Sequence, residues 1–116
     1  MTWVVELYES TSGQKPVEKF IRGLQPPTIA KVRNQLNLLE KYGPTLSMPN
    51  AKPIGGGLFE LRVRGKEEVR GLYVFVVEHR VTVLHIFKKK TFSISKNDLD
   101  IAVRRKREVV DRKSLT

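Results

Sequence analysis

The chain has 116 residues, 40% of them hydrophobic, and a net charge of +10 from 22 lysines and arginines against 12 acidic residues. That is enough apolar material for one folded domain, which sets the chain apart from disordered polyelectrolytes. The absence of cysteine excludes disulfides, thiolate zinc sites and cysteine nucleophiles, and no apolar run approaches the ~20 residues that cross a bilayer.

Met1 to Glu6 is not a basic segment followed by a long apolar one, so no secretion signal is expected, and the expected location is cytoplasmic, away from membranes. Trp3-Val4-Val5-Glu6-Leu7-Tyr8 is β-branched and aromatic and predicts a strand, ended by Ser10-Thr11-Ser12-Gly13. Val17, Phe20, Ile21 and Leu24 recur at helical spacing, with Pro16 where a first turn tolerates it and Gly23 near the stop. After the break at Pro26-Pro27-Thr28, Ile29, Val32, Leu36 and Leu39 mark one face of a longer helix closed by Gly43-Pro44. Together they predict a helical hairpin that lays its apolar stripe on a sheet. Residues 44–57 hold three prolines and three consecutive glycines and read as a loop. Strands follow at about 58–64, 69–78 and 81–89, and the short links between them make the three consecutive and antiparallel. Ser95 with Asp98 is a capping-box-like start for a final helix, whose narrow apolar side is Leu99, Ala102, Val103 and Val110.

Alternation assigns the faces. Phe59, Leu61 and Val63 point one way from the first meander strand, and Glu60, Arg62 and Arg64 the other. Leu61 is expected against the helices, which leaves Arg62 on an opposite, open face. Arg70 shares a face with Leu72 and Val74, and Tyr73 with Phe75. Cations cluster at Lys88-Lys89-Lys90 and at Arg104-Arg105-Lys106-Arg107 instead of alternating with acids. Nothing nearby in the sequence is acidic enough to pair with all of this charge, which favours a polyanion partner over mere solubility. Four successive residues circle a helix, so the second run is part solvated and part free to meet a polyanion. No metal site or cofactor is expected: Asp98 and Asp100 face different ways with no histidine beside them, and Gly55-Gly56-Gly57 lacks the Lys-Ser/Thr of a phosphate-binding P-loop.

Four stretches occur in order: Leu58-Phe59-Glu60-Leu61-Arg62, Arg70 to Phe75, His85 to Thr91, and Asp98 to Ala102, with the glycine triplet entering the first. In these, and over residues 3 to 110, the chain resembles the RelE/ParE superfamily of bacterial toxins, specifically its phage-derived HigB-like branch. It departs from that pattern at Phe92, where the branch often has a polar residue, and at Ser95, where it often has proline. The resemblance implies one toxin domain over residues 1–116 with an α+β fold. That fold is a small antiparallel sheet (N-terminal strand plus three-strand meander), an N-terminal helical hairpin packed on it and a C-terminal helix. It also implies ribosome-dependent cleavage of translated mRNA and neutralisation by a cognate antitoxin, usually a helix-turn-helix protein.

A metal-independent ribonuclease uses the RNA's own 2′-hydroxyl as nucleophile and needs a base, an acid and cations for the phosphoryl charge. Arg62 and Arg70 suit bidentate grip of a phosphate. Lys89 and Lys90 sit among like charges, where losing a proton costs less, so either suits acid or base work. Tyr73 and Phe87 suit base stacking, and Lys88 and Arg105 backbone contacts. Each has a plainer alternative. Arg62 can pair with Glu60, the lysines can protect a strand end from aggregation, and Tyr73 and Phe87 can be core. His85, inside an apolar strand, reads as a hydrogen-bonded core residue and His79 as a turn residue. Two rival functions are a ParE-like, non-enzymatic gyrase poison and an inactive nucleic-acid-binding phage accessory protein. The ParE branch lacks such a basic cluster, so Arg62, Arg70 and Lys88–Lys90 weigh against the first.

Overall fold

Proline opens both early helices and glycine ends them, and Pro26-Pro27-Thr28, expected to be a break, form the first turn of the second. α1 spans Pro16–Arg22 and α2 spans Pro26–Tyr42, each opened by proline in its first turn, where a missing N–H has no intrahelical partner to lose. Gly23 ends α1, its N–H bonding back to the carbonyls of Lys19 and Phe20. Gly43 ends α2 at φ +52°, and a side chain there would run into the Trp3 indole. The computed structural model describes residues 2–114, so Met1, Leu115 and Thr116, at the ends of the expected domain, lie outside the described residues.

One five-stranded sheet carries both helices. It comprises β1 (Val4–Leu7), β2 (Ala51–Gly55), β3 (Leu58–Val63), β4 (Val69–Phe75) and β5 (Arg80–Lys88), in the order β1-β5-β4-β3-β2. The class is α+β, and the β3–β4–β5 meander is antiparallel as predicted. Two features differ from the expected four-stranded, wholly antiparallel sheet. β1 pairs with β5 in parallel, Val5 opposite Val81. The chain crosses over through α1 and α2 before the meander begins, and apolar alternation reads the same in either strand direction. The second difference is β2, which lies inside the stretch expected to be loop. Pro53 disguises it, but β2 is an edge strand, where proline is tolerated. Gly55, Gly56 and Gly57, all at positive φ, make the turn into β3.

The final helix, α3 (Lys96–Ser114), starts at the predicted cap. Ser95 Oγ accepts the Asp98 N–H at 3.1 Å and donates to Asp98 Oδ2 at 2.7 Å. Its buried stripe is Ala102 and Val109, whereas Leu99 and Val110 stay exposed. Val109 lies seven residues after Ala102, two helical turns on, and so keeps to the same side. Among the described residues no helix is long and apolar enough to cross a membrane.

The two faces of the sheet are used differently. Phe59, Tyr73 and Phe75 pack ring against ring on the side of α2, joined by Trp3 from the chain start. Leu39, Leu72 and Leu84 are fully buried, and cutting any of them to alanine costs about 2–5 kcal/mol. β1 covers β5 only from Arg80 to Val83. Beyond it, α1 packs along β5, and Arg105 of α3 donates to the Leu84 carbonyl at 2.9 Å. His79, read as a turn residue, takes φ +56° in the β4–β5 turn and packs edge-on to Trp3.

Candidate nucleic-acid interface

The polar side of β3 and β4 sets like charges opposite one another. Arg62 and Arg70 are direct partners in the ladder, an arrangement that is repulsive by itself. Glu60, 1% exposed, lies on the same face and offsets the repulsion. Its Oε1 is 3.2 Å from Arg62 Nε and its Oε2 3.8 Å from Arg70 Nε. The Arg62 and Arg70 side chains are 13% and 6% exposed, so the open face expected for Arg62 is a packed ion cluster. Arg70 also donates Nη1 to Glu68 Oε2 at 2.9 Å and to the Val69 carbonyl at 3.1 Å. Its buried Nε has no hydrogen-bond partner.

The lysine triplet leaves β5 beside this cluster. Val69 stands opposite Lys88, and the Lys89 N–H bonds the Glu68 carbonyl at 2.8 Å. Lys88 is engaged with Glu67 Oε2 at 2.6 Å, and Glu67 accepts a second bond from Thr28 at 2.9 Å. These bonds, that from Lys88 first, hold the Glu67 carboxyl below the usual carboxylate range. Acidic partners are therefore nearer than the sequence suggests, because Glu60, Glu67 and Glu68 fold against the cations. Lys89, Lys90 and Arg64 nevertheless form no ion pair among the described residues. These three line a cavity of ≈ 440 Å³ together with Arg70, Glu68, Thr91 and Phe92. Unpaired cations around a concave surface focus a positive potential into it. Arg62 stays outside: it lines a neighbouring cavity of ≈ 290 Å³, and Arg64 stands in the wall of both.

Across the lysine segment, His85 Nε2 meets Asp98 Oδ1 at 2.7 Å, with the imidazole stacked on Phe87 at 5.4 Å between ring centres. Burial lowers the His85 pKa, against the opposing pull of Asp98, and the ring is the hydrogen-bonded residue that its setting predicts. Asp98 lines a second cavity of ≈ 450 Å³, which shares Lys89, Lys90 and Thr91 with the first. The lysine segment is thus a ridge between two hollows.

Residues 19–107 match the family model described as phage derived protein Gp49-like (DUF891). The chain belongs to this Gp49-like family, which is RelE-like and toxin-like. No curated protein matches the sequence.

On the Gp49-like fold, the sequence-derived candidates separate. Arg70, Lys89 and Lys90 come together, and Arg62 reaches them through Glu60. Tyr73 does not join them. It is 1% exposed on the opposite face, and burial raises its hydroxyl pKa to about 12, so it is core and offers no base a surface. Phe87 is buried with one face against His85. Lys88 is tied to Glu67. Arg105 lies over the Tyr8 ring at 4.7 Å while bonding the Leu84 carbonyl, which commits it to the fold and not to a phosphate. Four cavity residues, Arg64, Glu68, Thr91 and Phe92, were not among the predicted site residues. Alternation did place Arg64 on the same face as Arg62, a signal that pointed to it, and Phe92 stood out as a departure from the branch's pattern directly after the lysine strand end.

Proposed function

We propose that this Gp49-like chain is the toxin of a type II toxin–antitoxin system, of the HigB-like branch, and an endoribonuclease that cuts translated mRNA on the ribosome. The observation that carries the reading is the convergence of Arg64, Arg70, Lys89 and Lys90 on one cavity. An internucleotide phosphate is the anion that suits it. In the reaction the 2′-oxygen attacks the adjacent phosphorus, the bond from phosphorus to the 5′-oxygen breaks, and a 2′,3′-cyclic phosphate and a 5′-hydroxyl result. Arg70 and Lys89 hold the phosphoryl oxygens as their charge grows. Glu68 is the one carboxylate lining the cavity and takes the 2′-hydroxyl proton, while Lys90 supplies a proton to the leaving oxygen. Arg62 acts indirectly, through Glu60, by fixing Arg70. The partners are the ribosome with its message and an antitoxin, a helix-turn-helix protein by the family resemblance, in the cytoplasm.

The test is to add the purified chain to translating ribosomes. Message cut to cyclic-phosphate ends is the expected result. Intact message with accumulated gyrase–DNA breaks would replace this reading with a ParE-like gyrase poison. Salt-sensitive RNA binding with neither would leave an inactive nucleic-acid-binding phage protein.

A further inference from the structure

Phe92 stands apart from the other four phenylalanines, all of which are buried or half-buried, because its side chain is fully exposed at 104%. A lone apolar residue on a surface is ordinary. The position of this one is not: it lines the same cavity as Arg70, Lys89 and Lys90. The chain bends around it, with Thr91 Oγ1 donating to the Ser93 carbonyl at 2.7 Å, so the ring stands out at the tip. Single-stranded RNA alternates a charged phosphate with a flat, poorly hydrated base, and proteins that hold it pair cations with an aromatic face at close quarters.

We infer that Phe92 is the stacking platform for the nucleobase next to the phosphate held by Arg70 and Lys89. The inference rests on the proposed function for the phosphate, but its test needs no cleavage. A phenyl ring has no hydrogen-bonding group, so the contact tolerates any base and adds affinity without reading sequence.

The probes are short 2′-O-methyl oligoribonucleotides, which cannot undergo 2′-hydroxyl attack, and an abasic sugar–phosphate chain of the same length. Binding is read by fluorescence anisotropy. Phe92→Ala and Phe92→Leu are expected to weaken oligonucleotide binding roughly tenfold, within the range for loss of one base–aromatic stack. Phe92→Trp should retain the affinity, with its indole fluorescence quenched by the bound base. The parent chain and all variants should bind the abasic chain alike. Parent-like binding by Phe92→Leu would overturn the inference by showing a simple apolar contact. Equal losses on the abasic chain would overturn it by showing a general disturbance of the site. Unchanged oligonucleotide binding by Phe92→Ala, with loss only of ribosome or antitoxin association, would overturn it in favour of a protein contact. Should the parent chain show the stacking pattern yet cut no message, the nuclease reading falls and the stacking stands; should it cut message without the pattern, the stacking alone falls.

Discussion

Two cation runs of similar density occur in this chain, one at Lys88–Lys90 after β5 and one at Arg104–Arg107 on α3, and the fold uses them in opposite ways. On α3, the inward-turned residues are engaged with the chain itself. Arg105 caps the Leu84 carbonyl and lies over Tyr8, and Lys106 bonds the Gly56 carbonyl. Arg104 and Arg107 point to water. Of the three lysines only the first is engaged, with Glu67; the next two join Arg64 and Arg70 around a cavity whose one carboxylate, Glu68, is paired with Arg70. Charge density along a sequence therefore does not mark a binding surface. What marks it is positive charge that the tertiary structure brings together and leaves without acceptors.

The comparison is most severely tested at Arg70, which belongs to the cavity and to the buried cluster alike. Arg70→Ala should abolish message cleavage and also lower stability by about 3–5 kcal/mol in urea unfolding, because Glu60 is then left buried beside Arg62 alone. Arg70→Lys restores a charge without the two-pronged fork, so most of that stability should return while cleavage stays low. Full cleavage in either variant would remove Arg70 from the site.

Next in size is the ridge itself. Lys89→Ala combined with Lys90→Ala should reduce cleavage about hundredfold or more, the order expected when stabilising groups leave a developing oxyanion. Stability should move by less than about 0.5 kcal/mol, as for other surface changes. A drop in melting temperature matching the loss of activity would make the lysines structural.

Arg105→Ala should do the reverse. It leaves the Leu84 carbonyl without its donor, at about 1–3 kcal/mol, and cleavage per folded molecule should not change. Weakened RNA binding at unchanged stability would put α3 back into the interface and break the contrast between the two runs.

The smallest effect is a dependence on pH. Burial lowers the pKa of His85 in the folded chain, below the unfolded value of 6.5. Between those two values the unfolded chain binds the extra proton, so stability rises with pH across that window and is lost as pH falls through it. Thermal unfolding followed from about pH 8 down to about pH 5 should show this decline. His85→Gln, which does not titrate, should flatten it. An unchanged slope in the variant would assign the decline to another group.

What could be read directly from the residues was local. Helix limits followed from Pro16, Gly23 and Gly43; the meander followed from alternation and short turns; and the α3 cap followed from Ser95 with Asp98. Arg62 and Arg64 could be assigned to one face of β3 by period two alone. β2 was missed because Pro53 argues against a strand unless that strand is known to be an edge, which is a property of the sheet and not of the segment.

The sequence by itself determined the α+β class, the meander and the presence of two dense cation runs, because periodicity, turn residues and composition act over a few positions. Only the tertiary structure decided that β1 runs parallel to β5, that Tyr73 and Arg105 belong to the core and its edge, and that Arg64, Arg70, Lys89 and Lys90 share a cavity. The physical reason is that each of these depends on a partner far along the chain: a carboxylate such as Glu60 beside Arg70, a ring such as Tyr8 under Arg105, a carbonyl such as that of Leu84. A side chain's own chemistry states what it can bond, and the fold alone determines which bonds remain to be made with something else.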